Sequence, residues 1–305
     1  MNKVEDKLLS ELDQSKYEEA DAYNIRVDGK STRRKVSPYI EIESKTDKNG
    51  INVYIKDDTK FGIVHIPVLL TKSGLKDVVY NDFYIGKNAN VIILAGCGIH
   101  NDLHEDSKHD GIHRFFLSEN STVKYTEKHY GEGSGNGKRI LNPTTEIYMK
   151  KDSSMTMNTT QIKGVDDTFR KTYAELDQNA TLVINEKILT NNANIAKTEF
   201  NIELNGEDSS THVVSRSVAT DSSYQEFISK VAGNTKCYAH VECDAILKDN
   251  GNVLAIPEIY AKSVDANLIH EASIGKIAGE QLLKLMSLGM SEKEAEEAII
   301  TGFLK

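Results

Sequence analysis

Three side chains near the end of this 305-residue chain could bind iron or zinc: Cys243, His270 and Glu271. Thiolate and imidazole suit both metals, and a carboxylate completes mixed ligand sets. Cys243 lies in the alternating segment CYAHVECDAIL, where Cys237, Ala239, Val241 and Cys243 share one side of a strand. A free cysteine so placed also reads as a small buried hydrophobe, so the pattern alone leaves both roles open. His270 and Glu271 are adjacent, and adjacent residues on a strand point to opposite faces, so one site is not expected to take both.

A second cluster is GCGIHNDLHEDSKHDGIHRFF, with Cys97, His100, His104, His109 and His113. Its spacing, C-x2-H-x3-H-x4-H-x3-H, matches no zinc-module pattern. Gly96, Gly98 and Gly111 point to a turn-rich loop, with metal binding as the alternative. GEGSGNGK, from Gly131 to Lys138, is excluded as a phosphate-binding loop. In G-x-x-x-x-G-K the first glycine would fall on Glu132, and Lys138 precedes Arg139 instead of Ser or Thr. A loop is expected there. No G-x-S-x-G elbow or Ser–His–Asp arrangement supports nucleophilic catalysis.

The elements that must position these residues are mostly strands. The opening segment puts Val4, Leu8, Leu9 and Leu12 on one face of a short helix. From Ile25 onward Val, Ile, Tyr and Thr recur at period two between Asn, Asp, Gly and Lys turns, as in YIEIES, INVYIKD and FGIVHIPVLL, and short strands are expected. A repeat recurs in KNANVII, ENSTVKY, KDSSMTM, QNATLVI, GEDSSTHVV and VDANLIH. Aligning Val91, Val123, Met155, Leu182 and His212 gives steps of 32, 32, 27 and 30. A unit of about 30 residues built from strands alone points to stacked β coils, with a β-sandwich as the competing architecture. One turn composition throughout favours the coils. Ala89, Ser121, Ser154 and Ala180 are read as the small residues at the sharp bend. Cys243 and Glu271 then lie about one coil apart.

Composition agrees and excludes some roles. Aromatic residues make up 7% of the chain and tryptophan is absent, which suits a thin core. A net charge of -9 argues against a nucleic-acid partner. No apolar run approaches the roughly 20 residues of a membrane span, and MNKVEDKLL has no signal-peptide core. Three cysteines make no disulfide framework, so a reducing, cytoplasmic setting is expected. At the end, AGEQLLKLMSLG reads as a helix stopped at Gly289, and Ser291 with Glu294 as the capping box of another. Leu282, Leu285 and Met286 form one apolar stripe, and Ala295, Ala298 and Ile299 a second.

ECDAILKDNGNVLAIPEIYA, then HEASIGKIAGEQLLKLMSLGMSEKEAEEAIITGFL, resembles the C-terminal signature of the SufB/SufD family of iron–sulfur cluster assembly proteins. The resemblance extends upstream through SRSVATDSSYQEFISKV and more weakly to about Ile51. It implies a mainly β fold, a right-handed parallel β-helix, with an N-terminal helical segment over 1–24, the coil over 25–275 and a helical segment over 276–305. The chain is similar to a short, archaeal-type SufB, since SufB carries the cysteine at Cys243 and His-Glu where SufD carries His-Gly. The implied site is Cys243, Glu271 and His270, holding a transient iron–sulfur cluster on a scaffold that is not itself an enzyme. His270 matches the histidine that SufD contributes at the subunit interface. Implied partners are a SufC-like ABC ATPase on the C-terminal helices, a second copy or a SufD-like chain along the last coils, and cluster acceptors. Where SufB has Glu-Gly-Cys, with a proposed sulfur-receiving cysteine, this chain has Glu127-Lys128-His129, which implies direct use of sulfide. A metal-free interaction scaffold and a carbohydrate-active β-helix enzyme are the alternatives.

Overall fold

The computed structural model describes residues 2–305. Its strands form two ten-stranded sheets wound as a parallel β-helix. From Gly62 onward successive strands alternate between the sheets, except that Arg139–Leu141 and Thr144–Met149 both join the same one. One sheet runs from Lys30–Lys35 and Ala22–Val27 through Gly62–Leu70, Asn90–His100 and Thr122–Glu132. It continues with Ser154–Lys163, Thr181–Thr190, Ser209–Ala219 and Cys237–Leu247, and ends at Ala266–Lys276. The other runs from Ile40–Ser44 to Asn252–Ala261. From Lys76 onward most strands are 10 or 11 residues long, longer than the short strands expected, because each coil is wide and flattened.

Alternation sorts each strand: one set of side chains enters the core between the sheets and the other faces out. Turn chemistry sets the repeat. Asn88, Asn120, Asp152, Asn179, Asp208 and Asp221 all adopt positive φ, which short polar side chains tolerate better than other non-glycine residues. After the first five of these the next residue is small and buried, as at Ala89, Ser121, Ser153 and Ala180, whereas after Asp221 the buried small residue is Ser223, two positions on. The third coil therefore uses Ser153, not Ser154, and its Oγ donates to the Lys150 carbonyl at 2.5 Å. Register corrects the repeat at one more point. Val91, Val123, Met155 and Leu182 are cross-strand neighbours, but Leu182 pairs with Thr211, not His212. A one-residue slip exchanges faces, so His212 belongs to the outer surface.

The two ends of the coil differ. At the N-terminal end both sheets finish in antiparallel hairpins. Helix α1 (Lys3–Glu11), capped by Asn2 and Glu5, buries Leu8 and Leu9 over Ile25, Leu69 and Tyr130. Gly96 and Gly98, read from sequence as loop formers, lie within the Asn90–His100 strand. A Cβ on Gly98 would meet Leu8 at 3.1 Å, and one on Gly96 the Lys128 carbonyl at 2.5 Å; these glycines admit the helix and the adjacent strand. Gly111 is also in a strand, Ser107–Leu117. The loop of the GEGSGNGK run stacks on residues 101–106, with Gly135 and Gly137 donating to the Asn101 and Leu103 carbonyls at 3.1 and 2.9 Å. At the C-terminal end, Asn252–Ala261 and Ala266–Lys276 finish their sheets with no further strand among the described residues. Leu254, Ile256, Ile259, Tyr260 and Ile274 are exposed there. Helix α2 (Gly279–Ser287) exposes Leu283 and Met286, whereas helix α3 (Glu292–Phe303) buries Ala295 and ties Glu296 to Lys248 at 2.6 Å. Ser291 and Glu294 form the capping box of α3. No helix among the described residues is long and apolar enough to cross a membrane.

Candidate functional site

Cys243 projects inward from Cys237–Leu247, between Ser215 and Ala272 on the flanking strands, and is 1% exposed. Burial pushes its thiol up to about 12, with Glu186 and Asp244 adding to the shift, so the resting group is neutral SH. His270 faces the same interior, one strand on, in register with Val241. Its Nδ1 lies 3.2 Å from the Val241 carbonyl, while Nε2 has no hydrogen-bond partner among the described residues. Burial lowers the His270 pKa, further lowered by His240 and partly restored by Glu271, so the imidazole is held neutral. Glu271 pairs with Glu242 on the opposite face of the sheet and is largely exposed. Within one chain the fold thus brings Cys243 and His270 to one face and turns Glu271 away from both.

The interior leading toward Cys243 is charged. His113 Nδ1–H donates to Tyr125 Oη at 2.8 Å, the tautomer that leaves Nε2 to accept from Asn81 at 3.3 Å. Tyr125 donates to Glu127 at 3.0 Å, and Arg170 Nη1 donates to the other Glu127 oxygen at 2.6 Å. Arg170 Nε lies 3.6 Å from Glu186, whose carboxylate accepts from Thr198 at 3.0 Å and Ser215 at 2.8 Å. Ser215 is the strand neighbour of Cys243, so the polar chain ends beside the thiol. Burial alone would raise Glu127, but Arg170, His129 and His113 hold its carboxyl well below the usual range. At Glu186 burial prevails over Arg170, Ser215 and Thr198 and the pKa goes up. One guanidinium therefore serves two buried carboxylates unequally, favouring the one at contact distance.

The His-rich segment divides. Cys97 and His129 are cross-strand neighbours lining a small interior cavity with His109 and His113. His109 Nδ1 lies 3.2 Å from Asp77, which Arg26 grips with two hydrogen bonds. His100 faces out between Asp102 and Glu132, at 2.8 and 3.3 Å, and His104 sits in the connecting loop. Their ligand atoms do not converge as a metal site would require. The one group of three or more ligating residues among those described whose atoms all lie within 4.8 Å is His212, His240 and Glu242, on the outer face. Sequence reading misses it because the repeat aligns His212 with inward residues. Its signal was H-x-E at His240 and Glu242, preceded by His212 one coil earlier.

Fold and site define a β-solenoid protein that buries a thiol beside an uncovered last coil. The family model described as "SUF system FeS cluster assembly, SufBD core domain" matches residues 78–303. An iron-sulfur cluster assembly SufBD family protein of Archaeoglobus fulgidus is 28% identical over 87% of this chain and 71% of its own length. A Pyrococcus horikoshii relative of the same description is 28% identical over 88% and 82%, and one from Methanocaldococcus jannaschii 25% identical over 87% and 84%. The chain belongs to the SufBD family.

Proposed function

We propose that this chain is a scaffold subunit on which a nascent iron–sulfur cluster is built and from which it is handed on in the cytoplasm. The observation that carries the reading is Cys243, a buried thiol one strand from an uncovered sheet edge, in a SufBD-family chain. Neutral SH is a poor ligand, so cluster assembly requires the last coils to open or incoming iron to displace the proton. His270, on the same face, offers a neutral imidazole. Glu271 faces away within its own chain, so its carboxylate is assigned to the site formed with a second chain. That chain is another copy or a SufD-like protein, paired along the exposed apolar residues of the last coil. Few, mixed ligands hold a cluster less firmly than four thiolates, which suits transfer to acceptor proteins.

The exposed α2 side chains Leu283 and Met286 support docking of a SufC-like ABC ATPase. This chain carries no phosphate-loop pattern, so ATP hydrolysis is assigned to that partner, its dimerisation levering the last coils apart. Because His129 stands where a sulfur-receiving cysteine is found in SufB, inorganic sulfide is the proposed sulfur source. Anaerobic reconstitution of the full chain with ferrous iron and sulfide tests the scaffold. Cys243→Ala is expected to lose the cluster absorption, and a full complement in that variant would sink the assignment. ATPase co-purification that persists after deletion of everything beyond Ala278 would remove the docking role of the helices.

A further inference from the structure

The outer face carries a second ligand set that the buried thiol does not use. His212 and His240 are direct cross-strand neighbours, their rings parallel within 5° and 5.2 Å apart between centroids. Glu242, two residues beyond His240, therefore points to the same surface. One of its oxygens, Oε1, lies 2.9 Å from His212 Nε2 and 3.5 Å from His240 Nδ1. Two imidazoles and a carboxylate thus converge, with side chains 43%, 20% and 27% exposed, open enough to admit an ion. His240 is the pivot. Its second nitrogen, Nε2, is buried without a hydrogen-bond partner among the described residues but faces Glu271 Oε2 at 3.6 Å. A ligating histidine whose other N–H is directed at a carboxylate is the usual arrangement around protein-bound metals.

We propose that His212, His240 and Glu242 form a binding site for one divalent first-row transition-metal ion, with Glu271 orienting His240. The donor set of two nitrogens and oxygen, without thiolate, selects the zinc and ferrous class over calcium or magnesium. Three protein ligands leave further positions to water. On binding, the ion takes the position between the imidazoles and Glu242, and the proton shared there leaves to solvent. Its three ligands lie on the opposite face of the sheet from Cys243, so ion binding here requires no cluster there. Glu271 orients His240 in the lone chain and is given up where it joins the site formed with a second chain.

Cobalt titration of the chelator-stripped full chain tests the site, with zinc measured by competition against a chromophoric chelator. One cobalt per chain is expected, with visible bands of nitrogen and oxygen ligation and no thiolate charge-transfer band. His212→Ala and His240→Ala are each expected to weaken binding by at least ~100-fold, and Glu271→Gln by about tenfold, while Cys243→Ser leaves it unchanged. All four substitutions are to be compared at equal folded fraction, judged by circular dichroism. Failure to bind cobalt or zinc would overturn the proposal, as would undiminished binding in the double histidine variant. A charge-transfer band that disappears with Cys243→Ser would also overturn it, by placing the ion on the inner face.

Discussion

Along the Cys237–Leu247 strand, two neighbouring residues meet opposite physical conditions. Cys243 points into a closed interior, where burial keeps its sulfur protonated and a charged chain through Arg170 and Glu186 ends beside it. Glu242, one residue earlier, points to a surface where water reaches it and two imidazoles share one of its oxygens. The same alternation that hides the thiol displays the carboxylate. Ligands on the outer face are ready for an ion at once, whereas the inner sulfur must first be released.

Thiol reactivity separates the two faces most strongly. With the Cys243 thiol pushed up to about 12, alkylation near about pH 8 should run roughly a thousandfold slower than at an exposed cysteine of ordinary pKa. Ser273→Cys supplies such a cysteine on the outer face of the last strand, and similar labelling rates at the two positions would erase the distinction. Stability is the next contrast. Arg170→Leu leaves Glu127 and Glu186 buried without their cation and should cost about 3–5 kcal/mol in urea unfolding. A loss below about 1 kcal/mol would mean that the interior charges are hydrated or mutually compensated.

Acid should act on the inner face too. Burial lowers His113 from 6.5 to about 4, the neighbouring histidines and Arg170 adding to the shift and Glu127 opposing it. Between those values the unfolded chain takes up a proton that the folded chain refuses. Stability therefore falls as pH drops through that window, by on the order of 3 kcal/mol. In His113→Gln the slope of unfolding free energy against pH should flatten there, and an unchanged slope would reassign the effect. The smallest expected change belongs to the outer surface: His240→Ala should shift metal-free stability by no more than about 0.5 kcal/mol. A larger loss would show that the imidazole stack supports the fold.

Much of the architecture was legible because the coil repeats one turn, an Asn or Asp before a small residue, at nearly constant spacing. The family signature around Cys243 and His270 was legible for the same reason that motifs are, as a string of particular residues. Facing direction was harder to read. His212 differs from Thr211 by one position, and no pattern in GEDSSTHVV marks which of them meets Leu182. Glycines were ambiguous as well: Gly96 and Gly98 look like a loop until α1 is laid over them. The interior ionic chain was partly hidden, since Glu127 and His129 resemble any exposed polar pair. Only their parity with Tyr125 shows that all three enter the core.

The hairpins at one end and the bare parallel edges at the other give the molecule a direction in time as well as in space. Each coil stacks on its neighbours, so the N-terminal hairpins offer a first surface for stacking early in synthesis. The strands most able to recruit a foreign chain, Asn252–Ala261 and Ala266–Lys276, emerge after nearly all the rest have somewhere to stack. The adhesive edge is thereby exposed for the shortest part of the chain's birth.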